Sequence, residues 1–165
     1  MDDVRIFTDL RHPPKTADGA SVFVPAMAQF APELALAAIS LPLCNVNSEA
    51  SKAISGSTAL APENCYCAVF VLDPFTNWDD LAPEILNAKF RGICNFPSLP
   101  DFDEEEERAL EASGYSYKAE ISKMKELTRY GLAPLVSYKS EHQLSVAKGI
   151  LEDADAIYCC FDLFS

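Results

Sequence analysis

The sequence is short of positive charge. Lysine and arginine together number 13, against 25 aspartate and glutamate residues, so the formal net charge is −12. A surface of this sign repels phosphate backbones and anionic lipid, and we therefore expect no nucleic-acid partner and no membrane partner. A small anion held in a local pocket by backbone N–H groups remains compatible with the charge.

The sequence signatures of several large enzyme classes are missing. There is no G-x-G-x-x-G, P-loop, H-E-x-x-H or G-x-S-x-G motif. The histidines are His12, in a predicted loop, and His142, at the start of a predicted helix. We expect neither histidine to be catalytic.

Long apolar runs and paired-cysteine motifs are also missing. No run approaches the roughly 20 residues that span a bilayer, and the amino-terminal residues lack the pattern of a signal peptide. Cys65 and Cys67 are one residue apart and Cys159 and Cys160 are adjacent, so neither pair has C-x-x-C spacing. We expect a cytoplasmic protein with reduced thiols; a cysteine metal cluster is the alternative.

Short apolar runs alternate with stretches of helical periodicity. Strands are predicted over 4–8, 21–25, 39–44, 66–72, 91–96, 135–138 and 156–161. Helices are predicted over 32–38, 79–88, 119–129 and 141–151, with another starting in the acidic run 103–107 and at most a short helix within 45–64. Repeated strand–helix–strand units with right-handed crossovers predict an α/β fold with a mostly parallel sheet. The 165 residues predict a single domain, 1–165, in which 1–20 is a loosely ordered segment.

Polar residues follow the predicted strands. Ligands of parallel sheets bind at the carboxyl ends of the strands, where Asp73 and Asn95 close consecutive strands. Asp73 suits a metal ligand, a base, or a helix cap or turn former, and Asn95 suits a ligand contact or a turn. We expect both at one edge of the sheet and near one cavity. Other residues at strand ends are Asn45, Asn47, Ser98, Lys139 and Asp162.

Several of these segments together resemble the phosphoenolpyruvate hydrolase-like TIM-barrel family, which also supplies the carboxyl-terminal domain of a plant tobamovirus-resistance protein. Asp73-Pro74-Phe75 is similar to the family's T-D-P-F, and the segment 92–98 (G-I-C-N-F-P-S) is similar to G-V-Q-N-F-P-T. The segments 109–121, 135–138 and 154–157 follow in the family's order. The resemblance implies a TIM (β/α) barrel, shortened here because a complete barrel takes about 250 residues.

The departures from the family pattern concern anion binding. The glycine-rich strand end of the family corresponds to 24–29, which contains no glycine. The family's arginine-containing loop corresponds to 47–56, which retains Asn47 and Ser48 but has Glu49 and Ala50 in place of basic residues. The family's histidine near the last strand corresponds to Cys160.

Two functions follow from the resemblance. The first is a hydrolase or lyase for a phosphoenolpyruvate- or phosphonopyruvate-like acid with Mg²⁺, in which Asp73 holds the metal or a water and Glu120 transfers a proton. In that case the substrate is bound by Asn47, Ser48, Asn95 and Ser98. The second, which we favour, is a non-catalytic binding or assembly module without a cofactor, with a small carboxylic or phospho-acid as a possible ligand. A shortened barrel leaves sheet edges uncovered, so we also expect a homo-oligomer.

Overall fold

The apolar runs of the sequence form one parallel sheet. The structure, a computed structural model, describes residues 4–14, 19–31, 34–35, 44–99 and 104–160. Its strands are β1 (Arg5–Phe7), β2 (Ser21–Phe23), β3 (Cys65–Val69), β4 (Gly92–Asn95), β5 (Ala133–Tyr138) and β6 (Ile157–Cys160). Every neighbouring pair is parallel, and the strand order in the sheet is the order in the chain. This is the α/β fold predicted above: six strands curl into a half-barrel, which is a shortened, incomplete TIM-like barrel.

Helices follow most of the strands. They are α1 (Val46–Ser55), α2 (Trp78–Asn87), α3 (Glu104–Ser113), α4 (Tyr117–Leu127) and α5 (Glu141–Ile150), with 3-10 turns at Pro25–Gln29 and Thr128–Tyr130. α1 packs on β3 and α2, and α4 and α5 pack on each other and on β5. The predicted strand 39–44 and helix 32–38 lie almost entirely outside the described residues, as does Asp162.

The two faces of the sheet carry separate apolar clusters because side chains alternate along a strand. In β3, Cys65, Cys67 and Val69 face the helices, while Tyr66 and Ala68 face the concave side. All five of these side chains are buried. The sheet is therefore covered on both faces, which explains why this strand is apolar throughout.

The expectation of at most a short helix within 45–64 is wrong, since α1 has ten residues. Its apolar residues Val46, Ala50 and Ile54 recur every four positions and are buried. The side chain of Asn45 caps the helix by accepting from the backbone N–H of Ser48 at 2.8 Å. Polar residues surround the capping residue and the few apolar residues of α1, so the sequence pattern did not indicate this helix.

Gly92 sets the spacing of the central strands. It pairs with Ala133 across β4 and β5, and a Cβ atom at Gly92 would lie 1.8 Å from the carbonyl oxygen of Ala133. No side chain fits into that distance. The glycine thus places the end of β4, and with it Asn95, close to β5.

Candidate functional site

Asp73 and Asn95 lie beyond or at the carboxyl ends of neighbouring strands, as expected. Asp73 follows β3 by four residues, and Asn95 is the last residue of β4. Their side chains, however, belong to two different polar groups. We call these the Asp73 cluster (Asn45, Asn47, Asp73 and Thr76) and the Glu120 cluster (Asn95, Leu99, Glu120 and Ser137).

In the Asp73 cluster, hydrogen bonds tie the start of α1 to the turn after β3. Asn47 donates from Nδ2 to the carbonyl of Phe70 at 2.9 Å and to Oγ1 of Thr76 at 2.7 Å. Its Oδ1 accepts from the N–H of Phe70 at 2.8 Å. With every polar atom of Asn47 engaged, the side chain works as a connector between α1 and β3, whose ladder stops at Val69.

The carboxylate of Asp73 shapes its own turn. Oδ1 accepts from the N–H of Phe75 at 3.0 Å, and Oδ2 accepts from the hydroxyl of Thr76 at 2.8 Å. Nδ2 of Asn45, the N-cap of α1, lies 3.4 Å from Oδ2. The role of turn former, one of the alternatives for Asp73, is thus visible in the geometry.

A cavity of about 310 Å³ opens beside this cluster. Asn47, Ser48 and Asp73 line it, whereas Asn95 does not, so the expected shared cavity is not the one found at Asp73. Its charged lining residues are Asp73, Asp80 and Glu84, and no lysine or arginine is among its lining residues. Within the described residues, no group of three or more His, Cys, Asp or Glu side chains is arranged to hold a metal ion.

Asn95, Glu120 and Ser137 of the Glu120 cluster are buried. Glu120 is 1% exposed, and its Oε1 accepts from Nδ2 of Asn95 at 2.6 Å. Its Oε2 accepts from the N–H of Leu99 at 3.0 Å. The carboxylate therefore joins α4 to the end of β4 and to the segment that follows it.

Asn95 also fastens β4 to β5. Its Oδ1 accepts from the N–H of Ser137 at 2.6 Å, and its Nδ2 lies 3.2 Å from the carbonyl of Ser137. The hydroxyl of Tyr117 donates to the same carbonyl at 3.0 Å. These bonds leave Asn95, which is fully buried, without a free polar atom for a ligand.

Burial raises the pKa of Glu120 to about 7. Hydrogen bonds from Leu99, Asn95 and Ser98 and the positive charge of Lys139 lower the pKa and offset part of that effect. A carboxyl group that titrates near neutral pH suits proton transfer in principle. Here the side chain is 1% exposed, and both carboxylate oxygens accept hydrogen bonds from Asn95 and Leu99.

The six site residues predicted from sequence thus separate into two sets. Asn47, Ser48 and Asp73 lie at the open cavity, and Asn95, Ser98 and Glu120 lie at the buried cluster. Sequence reasoning missed Thr76, Tyr117 and Ser137. The available signals were a threonine three residues after Asp73 and a serine inside the apolar strand β5.

The cysteines are free thiols, and four of the six are buried. Burial raises the pKa of Cys65 to about 12 and raises that of Cys67 further. Such thiols are protonated and act as small apolar side chains. None of the helices in the described ranges is both long enough and apolar enough to cross a membrane.

No protein-family model matches the chain, and no curated protein sequence is significantly similar to it.

Proposed function

We propose that the chain is a non-catalytic binding or assembly module, a divergent and shortened relative of the phosphoenolpyruvate hydrolase-like barrels. One observation carries the proposal: the cavity beside Asp73 is lined by three carboxylates and by no basic side chain. A phospho-acid carries several negative charges that fixed positive groups must balance as the reaction proceeds. The charged side chains that line this cavity are negative instead.

The Glu120 cluster supports the same proposal. Glu120, the candidate proton-transfer group, accepts a hydrogen bond at 2.6 Å from the side-chain amide of Asn95, a candidate substrate-binding residue. The two side chains meet inside the fold. General acid–base catalysis requires the group to come within hydrogen-bond distance of the substrate. Glu120 and Asn95 instead stabilise the junction of β4, β5 and α4.

The alternative, hydrolysis or lysis of a phosphoenolpyruvate- or phosphonopyruvate-like acid with Mg²⁺, rests on Asp73. Its carboxylate is half-buried at a strand end beside an open cavity, the usual place for such a group. Mg²⁺ is typically bound by one or two carboxylates together with substrate oxygens and water. A metal-assisted reaction would therefore depend on Asp73.

The assembly part of the proposal rests on the edges of the sheet. Within the described residues, β1 pairs only with β2 and β6 pairs only with β5, so two strand edges stay open. Open edges favour pairing with another chain. A homo-oligomer is thus our proposed state, in a cytoplasmic setting that keeps the six thiols reduced.

The proposal is tested by phosphate release. Purified protein is incubated with phosphoenolpyruvate or phosphonopyruvate and with Mg²⁺ or Mn²⁺, beside an Asp73→Ala control. We expect no release above the control. Phosphate release by the wild-type chain that disappears in Asp73→Ala would mean that the chain is an enzyme and not a non-catalytic module. A monomer found by light scattering at high protein concentration would contradict the proposed homo-oligomer.

A further inference from the structure

A second cavity, larger than the one at Asp73, lies on the helix side of the sheet. It has a volume of about 800 Å³ and runs between α1 and the segments that follow β1 and β2. Typical small-molecule sites have volumes of roughly 300–1,000 Å³. This groove shares no lining residue with the Asp73 cavity.

The first crossover of the sheet borders the groove, and its described part contains no helix. Residues 8–14 and 19–20, between β1 and β2, form turns and bends. The 3-10 turn Pro25–Gln29, which follows β2, contacts α1 beside this segment. The groove-lining residues of α1 and its C-cap recur at helical spacing, and two of them are small: Glu49, Lys52, Ala53 and the C-cap Gly56.

The base of the groove is apolar. Phe23 of β2 and Leu10, after β1, are 1% and 4% exposed and line it together with Pro25 and Ala28. An apolar ligand body placed against these side chains loses water contact at little cost in polar desolvation.

One basic side chain lies on each side of the groove: Arg11 in the segment after β1 and Lys52 on α1. Arg11 donates from Nε and Nη2 to Asp9 at 3.0 and 2.9 Å, and Lys52 contacts Glu49 at 2.8 Å. The two basic side chains remain 75% and 68% exposed, which leaves donors available to a bound molecule. The lining contains two cations and two carboxylates, in a chain whose net charge is −12.

We propose that this groove binds a small organic acid. The carboxylate of the ligand contacts Arg11 and Lys52, and its apolar body lies on Phe23 and Leu10. The site goes beyond the non-catalytic role proposed above, and its occupancy is independent of phosphate release at Asp73.

The test is a titration of the isotope-labelled chain followed by NMR, with 3-phenylpropanoate as the probe and 3-phenylpropylamine as its cationic counterpart. We expect saturable shifts at the amides of Arg11, Ala53 and Gly56 with the acid and none with the amine. Arg11→Gln and Lys52→Met should each weaken binding about tenfold, since each removes a charge-assisted hydrogen bond.

The matched control is Lys123→Met. Lys123 forms an ion pair with Glu126 at the same sequence spacing as Lys52 and Glu49, with an N–O distance of 3.0 Å, outside the groove. We expect this variant to bind as the wild type does. Equal binding of the amine, unchanged affinity in both groove variants, or shifts with the acid that do not saturate would overturn the proposal.

Discussion

The Asp73 and Glu120 clusters occupy equivalent places, beside the carboxyl ends of β3 and β4, yet they differ in access. Asp73 is half-buried at an open cavity, whereas Glu120 is 1% exposed and surrounded by donors. In both clusters an asparagine uses all its polar atoms to connect neighbouring elements. The comparison teaches that polar residues at strand ends of this chain stabilise the half-barrel, and that burial decides how strongly each one does so.

The largest effect is expected at Asn95. Asn95→Ala removes the partner of the Ser137 N–H and one partner of the Glu120 carboxylate. Each buried group left without a partner costs roughly 2 kcal/mol, so we expect the free energy of unfolding to fall by about 4 kcal/mol. Urea unfolding measures the change. A loss below that of Asp73→Ala would contradict the role given to burial.

The pH dependence of stability is the second way to separate the clusters. The pKa of Glu120 is about 7 in the folded chain, against an ordinary value of 4.5. Between these values the folded chain binds a proton that the unfolded chain has lost. The free energy of unfolding therefore decreases as pH rises from about 4.5 to 7, by at most roughly 3 kcal/mol from this group.

Glu120→Gln isolates that contribution because glutamine keeps the size and one acceptor but does not titrate. Urea unfolding at several pH values measures the free energy of unfolding of both proteins. Relative to that of the variant, the wild-type value should decrease as pH rises from about 4.5 to 7. Lys139, Tyr117 and Cys94 are the other titratable groups whose charges couple to Glu120. Parallel curves would mean that Glu120 titrates as an ordinary carboxyl.

A smaller effect is expected at Asp73. Asp73→Ala removes hydrogen bonds to Phe75 and Thr76 in a turn that water reaches. Water replaces the lost partners, so the free energy of unfolding should fall by only about 1 kcal/mol. A midpoint shift in urea with an unchanged slope would fit this expectation. A loss of several kcal/mol would mean that the cavity is more enclosed than its geometry indicates.

The smallest effect, of opposite sign, is expected at Tyr66. This side chain is fully buried on the concave face, and its hydroxyl has no hydrogen-bond partner among the described residues. Tyr66→Phe removes an unsatisfied polar atom, so the variant should be as stable as the wild type or more stable by up to about 1 kcal/mol. Thermal unfolding measures this difference. A clear loss of stability would show that the hydroxyl has a partner, such as a buried water.

Each of the six described strands overlaps a predicted one, because their apolar runs are bounded by turn residues. The helix α1 could not be predicted, since its buried stripe consists of the modest side chains Val46, Ala50 and Ile54. The site was predicted only as a set of residue types at strand ends. The bond from Asn95 to Ser137 joins residues 42 positions apart, and no local pattern encodes it.

The groove along α1 shows the same limit. Arg11 and Lys52 are far apart in the sequence, and the local pattern around each indicates only a solvent-exposed basic residue near an acidic one. They line one groove only in the folded chain, where the segment after β1 lies beside α1.

The central claim is that the acidic cavity at Asp73 does not accept a phospho-acid, and phosphorus NMR tests it most directly. The signal of phosphoenolpyruvate with Mg²⁺ is recorded at rising protein concentration, for the wild type and for Asp73→Ala. We predict an unchanged position and line width in both series. Broadening or a shift that appears with the wild type and disappears with Asp73→Ala would contradict the account.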